Sequence, residues 1–199
     1  MRKQKKAIII GLTGPIASGK NTAAGFFRSR YVIDVDRIGH EILSSQSMPW
    51  HKVVKTFGIK VLKRGGKVNR RKLGEIVFSN PGALRMINKI THPEILKRVR
   101  KKIKDGLKSK RRFVIVNAAV LKEIGLIPYV DHVISVLSPK GKRLKRLVSK
   151  KVKKIAALHR ISSQRSDKEY RKISDFVVIN NSTKGRLQKS IEEIVSKLG

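Results

Sequence analysis

The stretch GPIASGKNT, residues 14–22, decides the fold class. It fits the phosphate-loop pattern G-x-x-x-x-G-K-S/T at every position but one. The residue after the lysine is Asn21, where a hydroxyl normally ligates the magnesium of a bound nucleotide. An apolar run, Ala7–Leu12, leads into the stretch, and the small-residue segment Thr22-Ala23-Ala24-Gly25-Phe26-Phe27 follows it. Strand, glycine turn and helix are the context that the motif requires. In that context the loop formed by Gly14, Ala17, Ser18 and Gly19 cradles a β-phosphate with its amides. Lys20 reaches the β- and γ-phosphates, and Asn21 and Thr22 supply the oxygens nearest a metal ion.

Outward from the loop, five short apolar runs predict buried strands: Ala7–Leu12, Tyr31–Ile33, Phe113–Val116, His132–Leu137 and Phe176–Ile179. Several are β-branched at nearly every position, as strands covered on both faces tend to be. Helical segments separate them, so the expected class is α/β, with a five-stranded parallel sheet flanked by helices. About 79 residues lie between the second and third runs, far more than one crossover helix needs. They form a helical insert, with a turn at Arg64-Gly65-Gly66-Lys67 and breaks at Asn80-Pro81-Gly82 and Thr91-His92-Pro93. A second long segment, about 139–173, is basic and helical, and suits a mobile cover over a nucleotide. The expected division is a core of 1–36, 107–138 and 174–199, an insert of 37–106 and a lid of 139–173. Leu187, Ile191, Ile194, Val195 and Leu198 form an amphipathic closing helix, capped by Asn181, Ser182 or Thr183.

A chain of 199 residues with 40% hydrophobic content suits one unit with a buried core. No apolar run approaches the roughly 20 residues of a membrane span. The basic head Met1–Lys6 precedes too short an apolar run for a signal peptide, and a cytoplasmic location is the default expectation. With no cysteine, disulfides and thiolate chemistry are excluded. The net charge of +35, from 48 basic and 13 acidic residues, attracts polyanions and speeds the arrival of a phosphorylated substrate. Ten of the sixteen residues Lys97–Arg112 are basic, yet Ile95, Leu96, Val99, Ile103 and Leu107 recur at helical spacing among them. That pattern is an amphipathic helix with a solvated face. Leu144, Leu147, Val148, Val152 and Ile155 give the run Lys140–Lys154 the same rhythm.

At the end of the second run stands Val32-Ile33-Asp34-Val35-Asp36. Carboxyl ends of parallel strands face the ligand crevice, so an aspartate here can take a proton from an attacking hydroxyl or hold magnesium. Asp34 and Asp36 point the same way if the strand continues. Either alone also suits a turn or a helix cap.

Together these segments resemble the dephospho-CoA kinases. The resemblance runs from Ile10 to Lys20 and through Val32–Asp36, Phe57-Gly58, Val68–Phe78, Asn88–Pro93, Arg160–Gln164 and Asp175–Asn181, in order along nearly the whole chain. It implies a P-loop kinase core with a helical insert that binds the coenzyme A moiety and a helical lid. The implied reaction transfers the γ-phosphoryl group of ATP to the 3′-hydroxyl of dephospho-CoA, with magnesium or manganese as the metal. By this match Asp36 is the general base, Lys20 stabilises the transferring group, and Arg146 and Arg160 clamp phosphates. His40, Arg70 and His92 bind or organise the acceptor, though His92 before Pro93 equally suits a structural turn. Asn21, Thr22 and Asp34 are the metal candidates. Four residues depart from the family pattern: Asn21, Asn117 at the end of the third strand in place of aspartate, and Lys150-Lys151 in place of an Arg-Asp pair. These departures bear on metal handling, and lysine lacks the bidentate fork of arginine. Two other readings compete: the same fold with weak or lost catalysis, binding nucleic acid or other polyanions through its basic surface, or a kinase for a different small acceptor. Low aromatic content disfavours the first, and the insert motifs disfavour the second.

Overall fold

In the computed structural model, which describes residues 7–44 and 46–198, every one of the apolar runs becomes a strand. Met1–Lys6 of the expected core, Ser45 of the insert and Gly199 lie outside the described residues. The strands are β1 (Ile8–Thr13), β2 (Arg30–Asp34), β3 (Phe113–Asn117), β4 (His132–Leu137) and β5 (Phe176–Ile179). All pair in parallel, in the order β2-β3-β1-β4-β5. From β1 the chain passes to the far edge and returns, then crosses to the other side for β4. The reversal lies between β1 and β3, where open parallel sheets bind their ligands. Register places Leu12 and Asp34 on either side of Asn117, so the three carboxyl ends finish in line.

Burial on both faces explains why these residues are strands. One face packs Ile10, Leu12, Phe113, Ile115 and Val136 against α1 (Lys20–Gly25) and α9 (Lys184–Lys197), from which Leu187, Ile191 and Ile194 point inward. Of the three candidate caps for α9, Thr183 is the one used, its hydroxyl accepting from the Arg186 amide. The other face packs Ile33, Val114 and Val116 against α2 (Val35–Glu41) and against Ile95, Val99 and Ile103 of α5 (Pro81–Lys108). Leu107, counted in that stripe from the sequence, is exposed.

The insert has its own core. Val53 and Phe57 of α3 (Met48–Phe57), Leu73 and Val77 of α4 (Arg70–Ser79), Val61 and Ile87 cluster together. The turn at Arg64–Lys67 forms as expected, with Gly65 and Gly66 at φ 85° and 77°. Asn80 caps α5, and Pro81 is its first residue. The break expected at Thr91-His92-Pro93 does not occur, since α5 runs unbroken for 28 residues. Pro93 lacks the amide that would bond Lys89. Its ring lies on the exposed face, while Ile87, Thr91, Ile95 and Val99 form a buried stripe at four-residue spacing that holds both sides in line.

The 139–173 segment holds α6 (Lys140–Ser149), α7 (Lys154–Ser162) and α8 (Asp167–Lys172). The rhythm read from Leu144 to Ile155 is not one helical face. A turn at Lys151, φ 61°, separates α6 from α7, leaving Val148 and Ile155 exposed. Only Leu147, Ala157 and Ile161 form a buried cluster here, resting on Ile16 and Ala17 of the phosphate loop.

Candidate active site

Between β1 and α1 the loop turns on left-handed residues: Gly14 at φ 137°, Ala17 at 58° and Gly19 at 104°. Such backbone turns successive amides into an anion-binding concavity. Two glycines are sterically required. A Cβ on Gly14 would stand 2.1 Å from the Val136 carbonyl oxygen, and one on Gly19 would stand 2.2 Å from Asn180 Nδ2. Three distant segments hold the loop from outside. Asn180 Nδ2 donates to the Ser18 carbonyl at 2.7 Å, and Gln164 Oε1 accepts from the Ile16 amide at 2.7 Å. Arg146 Nη1 donates to the carbonyls of Ala17 and Ser18 at 2.9 and 3.2 Å, and to Ser138 Oγ at 3.2 Å.

Lys20, the first residue of α1, is buried and donates from Nζ to the carbonyls of Gly14 and Pro15 at 2.9 and 3.2 Å. Burial pulls its pKa down to about 8; Asp36 opposes that shift and Arg143 adds to it. Asp36 does not extend β2, because the strand ends at Asp34 and Val35 opens α2. It therefore sits in the first helical turn, and the alignment of two aspartates along one strand is not formed. Its side chain opens onto the cleft, yet the protein around it desolvates the carboxylate and raises its pKa, while Lys20 and the Ala119 amide pull it back. A carboxylate and an ammonium group thus open into one space and attract one another.

Asp34 takes the capping role that the sequence left open, its Oδ1 accepting from the Arg37 amide at 2.9 Å. Asn21 and Asn117, read from the sequence as two separate departures, meet: Asn117 Nδ2 donates to Asn21 Oδ1 at 2.8 Å. Asn117 Oδ1 and Ser18 Oγ are buried with no partner among the described residues. No group of three or more His, Cys, Asp or Glu side chains there could enclose a metal ion.

Ala17, Gly19, Lys20, Asn21, Thr22, Asp36 and Arg146 line one cleft of about 660 Å³. Gly14 and Ser18 lie buried behind its wall. Four candidates lie elsewhere. Arg160 belongs to a larger cavity, about 840 Å³, between α4 and α7, and does not line the nucleotide cleft. His40 is exposed one turn beyond Asp36, and Arg70 Nη2 reaches its carbonyl at 3.4 Å. Desolvation and Arg70 both hold His40 below its ordinary pKa. His92 lies inside α5 and not in a turn; its ring meets the Glu123 carbonyl through Nδ1 at 3.1 Å and lines neither cavity. The smaller cavity is the one into which both Lys20 and Asp36 open.

Several contributors were not singled out from the sequence: Asn180, Gln164, the Ala119 backbone, Lys184 and buried Arg143, whose Nε and Nη1 lack partners among the described residues. Asn180 and Gln164 did fall within the segments that carried the family resemblance, which was the available signal. Nothing in the local pattern marked Arg143.

A dephospho-CoA kinase family model matches residues 8–185. The chain is 39% identical over 193 residues to a dephospho-CoA kinase of Carboxydothermus hydrogenoformans, covering 96% of this chain and 92% of that one. Against a dephospho-CoA kinase of Bacillus licheniformis the identity is 38% over 179 residues, covering 88% and 89%. A solved dephospho-CoA kinase from Campylobacter jejuni superposes with a TM-score of 0.68 at 28% identity, covering 96% of each chain.

Proposed function

We infer the roles within this site from one premise: the chain belongs to the dephospho-CoA kinase family. It is an ATP-dependent kinase that phosphorylates the 3′-hydroxyl of dephospho-CoA, giving CoA and ADP. The observation that carries the assignment of roles is the facing pair Lys20 and Asp36 beside the left-handed loop.

The loop amides hold the β-phosphate. Lys20 leaves the carbonyls of Gly14 and Pro15 for the β- and γ-phosphates, and phosphate charge restores the protonated form that burial disfavours. Asp36 accepts the proton of the 3′-hydroxyl as that oxygen bonds to the γ-phosphorus. The bond from γ-phosphorus to the bridging oxygen breaks, and ADP carries away that electron pair. A carboxylate with a raised pKa suits this task, since a base works best when its pKa approaches the working pH. Arg146, on the edge of the same cleft, turns from the loop carbonyls toward the donor phosphates. Such catalysis is chiefly positioning and electrostatic stabilisation.

The residues fit magnesium held largely by phosphate oxygens and water, with hard neutral oxygens from Thr22 and Asn21 at its edge. Asn21 Oδ1 accepts from Asn117 Nδ2 at 2.8 Å and keeps a second lone pair for a metal ion. When bound, the metal neutralises charge on the transferring group. Asp34 is already engaged as a cap and contributes at most its second oxygen.

The expected division fits these roles: a core of 1–36, 107–138 and 174–199 for the nucleotide, an insert of 37–106 for the acceptor and a lid of 139–173 that excludes water. A cytoplasmic enzyme is the accompanying reading, and no described helix is long and apolar enough to cross a membrane. The polyanion-binding alternative leaves the convergence of Lys20, Asp36 and Arg146 unused. A coupled ADP-release assay with ATP and dephospho-CoA, titrated with magnesium and manganese, tests the assignment. Asp36→Asn is expected to lower kcat by about a hundred- to ten-thousand-fold without shifting the melting temperature. Undiminished turnover in that variant would remove Asp36 from the chemistry.

A further inference from the structure

We propose that Tyr170 of α8 is a positioning residue for phosphoryl transfer, fixing the Asp36 carboxylate through the backbone of Ala119. This rests on the reading of Asp36 as the base. Tyr170 is 2% exposed and lines neither cavity, and its hydroxyl donates to the Ala119 carbonyl at 3.3 Å. Burial pushes the phenol up to about 12, so the group keeps its proton, and its donor role, at neutral pH. Phenylalanine would fill the same space without a buried polar atom to satisfy, so packing alone gives no reason for the hydroxyl.

Both ends of this side chain's residue are pinned. The Tyr170 carbonyl accepts from Ser174 Oγ at 2.7 Å and from Ser135 Oγ of β4 at 3.4 Å. The ring is therefore a strut from β4 to the turn 119–125 that follows β3. At the far end of the strut the Ala119 carbonyl also accepts from Thr13 Oγ1 of β1 at 3.4 Å, a second buried hydroxyl. Arg165, which precedes the α8 cap Ser166, grips the same turn again by pairing with the Glu123 carboxylate. From α5, His92 Nδ1 holds the Glu123 carbonyl.

The two ends of the turn are held by different means. Its rear is fixed by the buried side chains of Leu121, Ile124 and Leu126. Its front, Ala119, has no large side chain to bury, lines the cleft with Asp36, and is held by the two hydroxyls. There the Ala119 amide faces the Asp36 carboxylate. A carboxylate on the first turn of a helix rotates about its own side-chain bonds. A fixed amide at one oxygen stops that rotation and leaves the other oxygen for the acceptor hydroxyl. Reacting groups need such support from residues that never touch the substrate.

Steady-state kinetics on Tyr170→Phe test this, with Ile194→Val, a buried change in α9 on the other face of the sheet, as the control. The expected result is a fall of about ten-fold in kcat, with the KM for ATP and for dephospho-CoA within about two-fold of wild type. That split marks an interaction realised in the transition state and not in substrate binding. Added to Asp36→Asn, whose residual turnover is followed with labelled ATP, Tyr170→Phe should change the rate by less than about two-fold, because no base is left to position. A kcat within two-fold of wild type in Tyr170→Phe, or a loss carried by KM instead, would overturn the proposal. So would the full loss recurring in the Asp36→Asn background or in Ile194→Val, which would assign the effect to the stability of the fold. Failure of the functional reading itself appears separately, as undiminished turnover in Asp36→Asn alone.

Discussion

The two cavities are built on different terms. The inner one is finished by the fold: its loop is tied by Asn180, Gln164 and Arg146, its lysine is buried, and its glycines admit no side chain. The outer one is bounded by the insert and by a segment whose buried cluster is three residues, Leu147, Ala157 and Ile161, and it leaves Ile155 and Phe78 in solvent. The loop backbone is therefore held before any ligand arrives, and only the side chains of Lys20 and Arg146 need to turn, whereas the outer cavity leaves apolar side chains uncovered. Preorganised groups stabilise a transition state without reorganising during the reaction, so rigidity belongs where phosphoryl transfer occurs. Looseness is tolerable where binding energy is merely collected.

The sharpest way to break this contrast is Gly14→Ala. Its methyl would meet a backbone oxygen of β4 that cannot yield, at a φ that alanine rarely adopts. A loss of at least about 4 kcal/mol in denaturant unfolding, or no folded protein, is expected. A stable variant would show the inner site to be more pliant than described.

Paired truncations grade the two regions. Ile115→Ala, in the centre of the sheet, should cost about 4 kcal/mol, and Leu147→Ala in the lid about 2 kcal/mol. The lid variant should also speed proteolysis within 139–173 and raise the KM for ATP, since Arg146 precedes Leu147. Equal costs would erase the distinction between the regions.

Lys20 gives the contrast a pH signature. Its pKa falls from 10.5 to about 8 on folding, so between those values the unfolded chain binds a proton that the folded chain lacks. The penalty of burying this cation is full below about pH 8 and fades as pH rises toward 10.5. Lys20 thus adds roughly 3 kcal/mol at most to a rise in stability across that window. Unfolding titrations of wild type and Lys20→Met without nucleotide should differ by that increment. At pH 8.5, ATP binding should take up protons in the wild type alone, measured by calorimetry in buffers of different ionisation enthalpy.

The smallest expected effect concerns Asp34. Asp34→Ala removes a helix cap and should cost about 1 kcal/mol, while Asp34→Asn keeps an acceptor and should retain both stability and kcat. A large fall in kcat for Asp34→Asn, with stability unchanged, would return it to the metal site.

What could be read from the sequence follows from which forces are local. The strands were legible because runs such as Phe113–Val116 are buried at every residue, which selects apolar side chains, three of the four here β-branched. The phosphate loop was legible because its glycines answer a backbone requirement. Whether β2 continued past Asp34 was left open, since the cap at Asp34 and an extended strand present the same letters. Partners 148 and 162 residues apart, such as Gln164 with Ile16 and Asn180 with Ser18, leave no periodic trace. The pairing of Asn21 with Asn117 was hidden for the same reason: each was a departure alone, and the register of β1 with β3 brings the two amides together.

Pro93 has a mechanical consequence. The front of α5 belongs to the insert through Ile87, and its rear belongs to the sheet through Ile95, Val99 and Ile103. The rung that proline deletes falls between them. A shaft with one rung missing is stiff along its length and compliant at that point. The buried stripe of Ile87, Thr91, Ile95 and Val99 spans that missing rung, so insert and sheet share one continuous shaft whose weakest backbone turn is at Pro93.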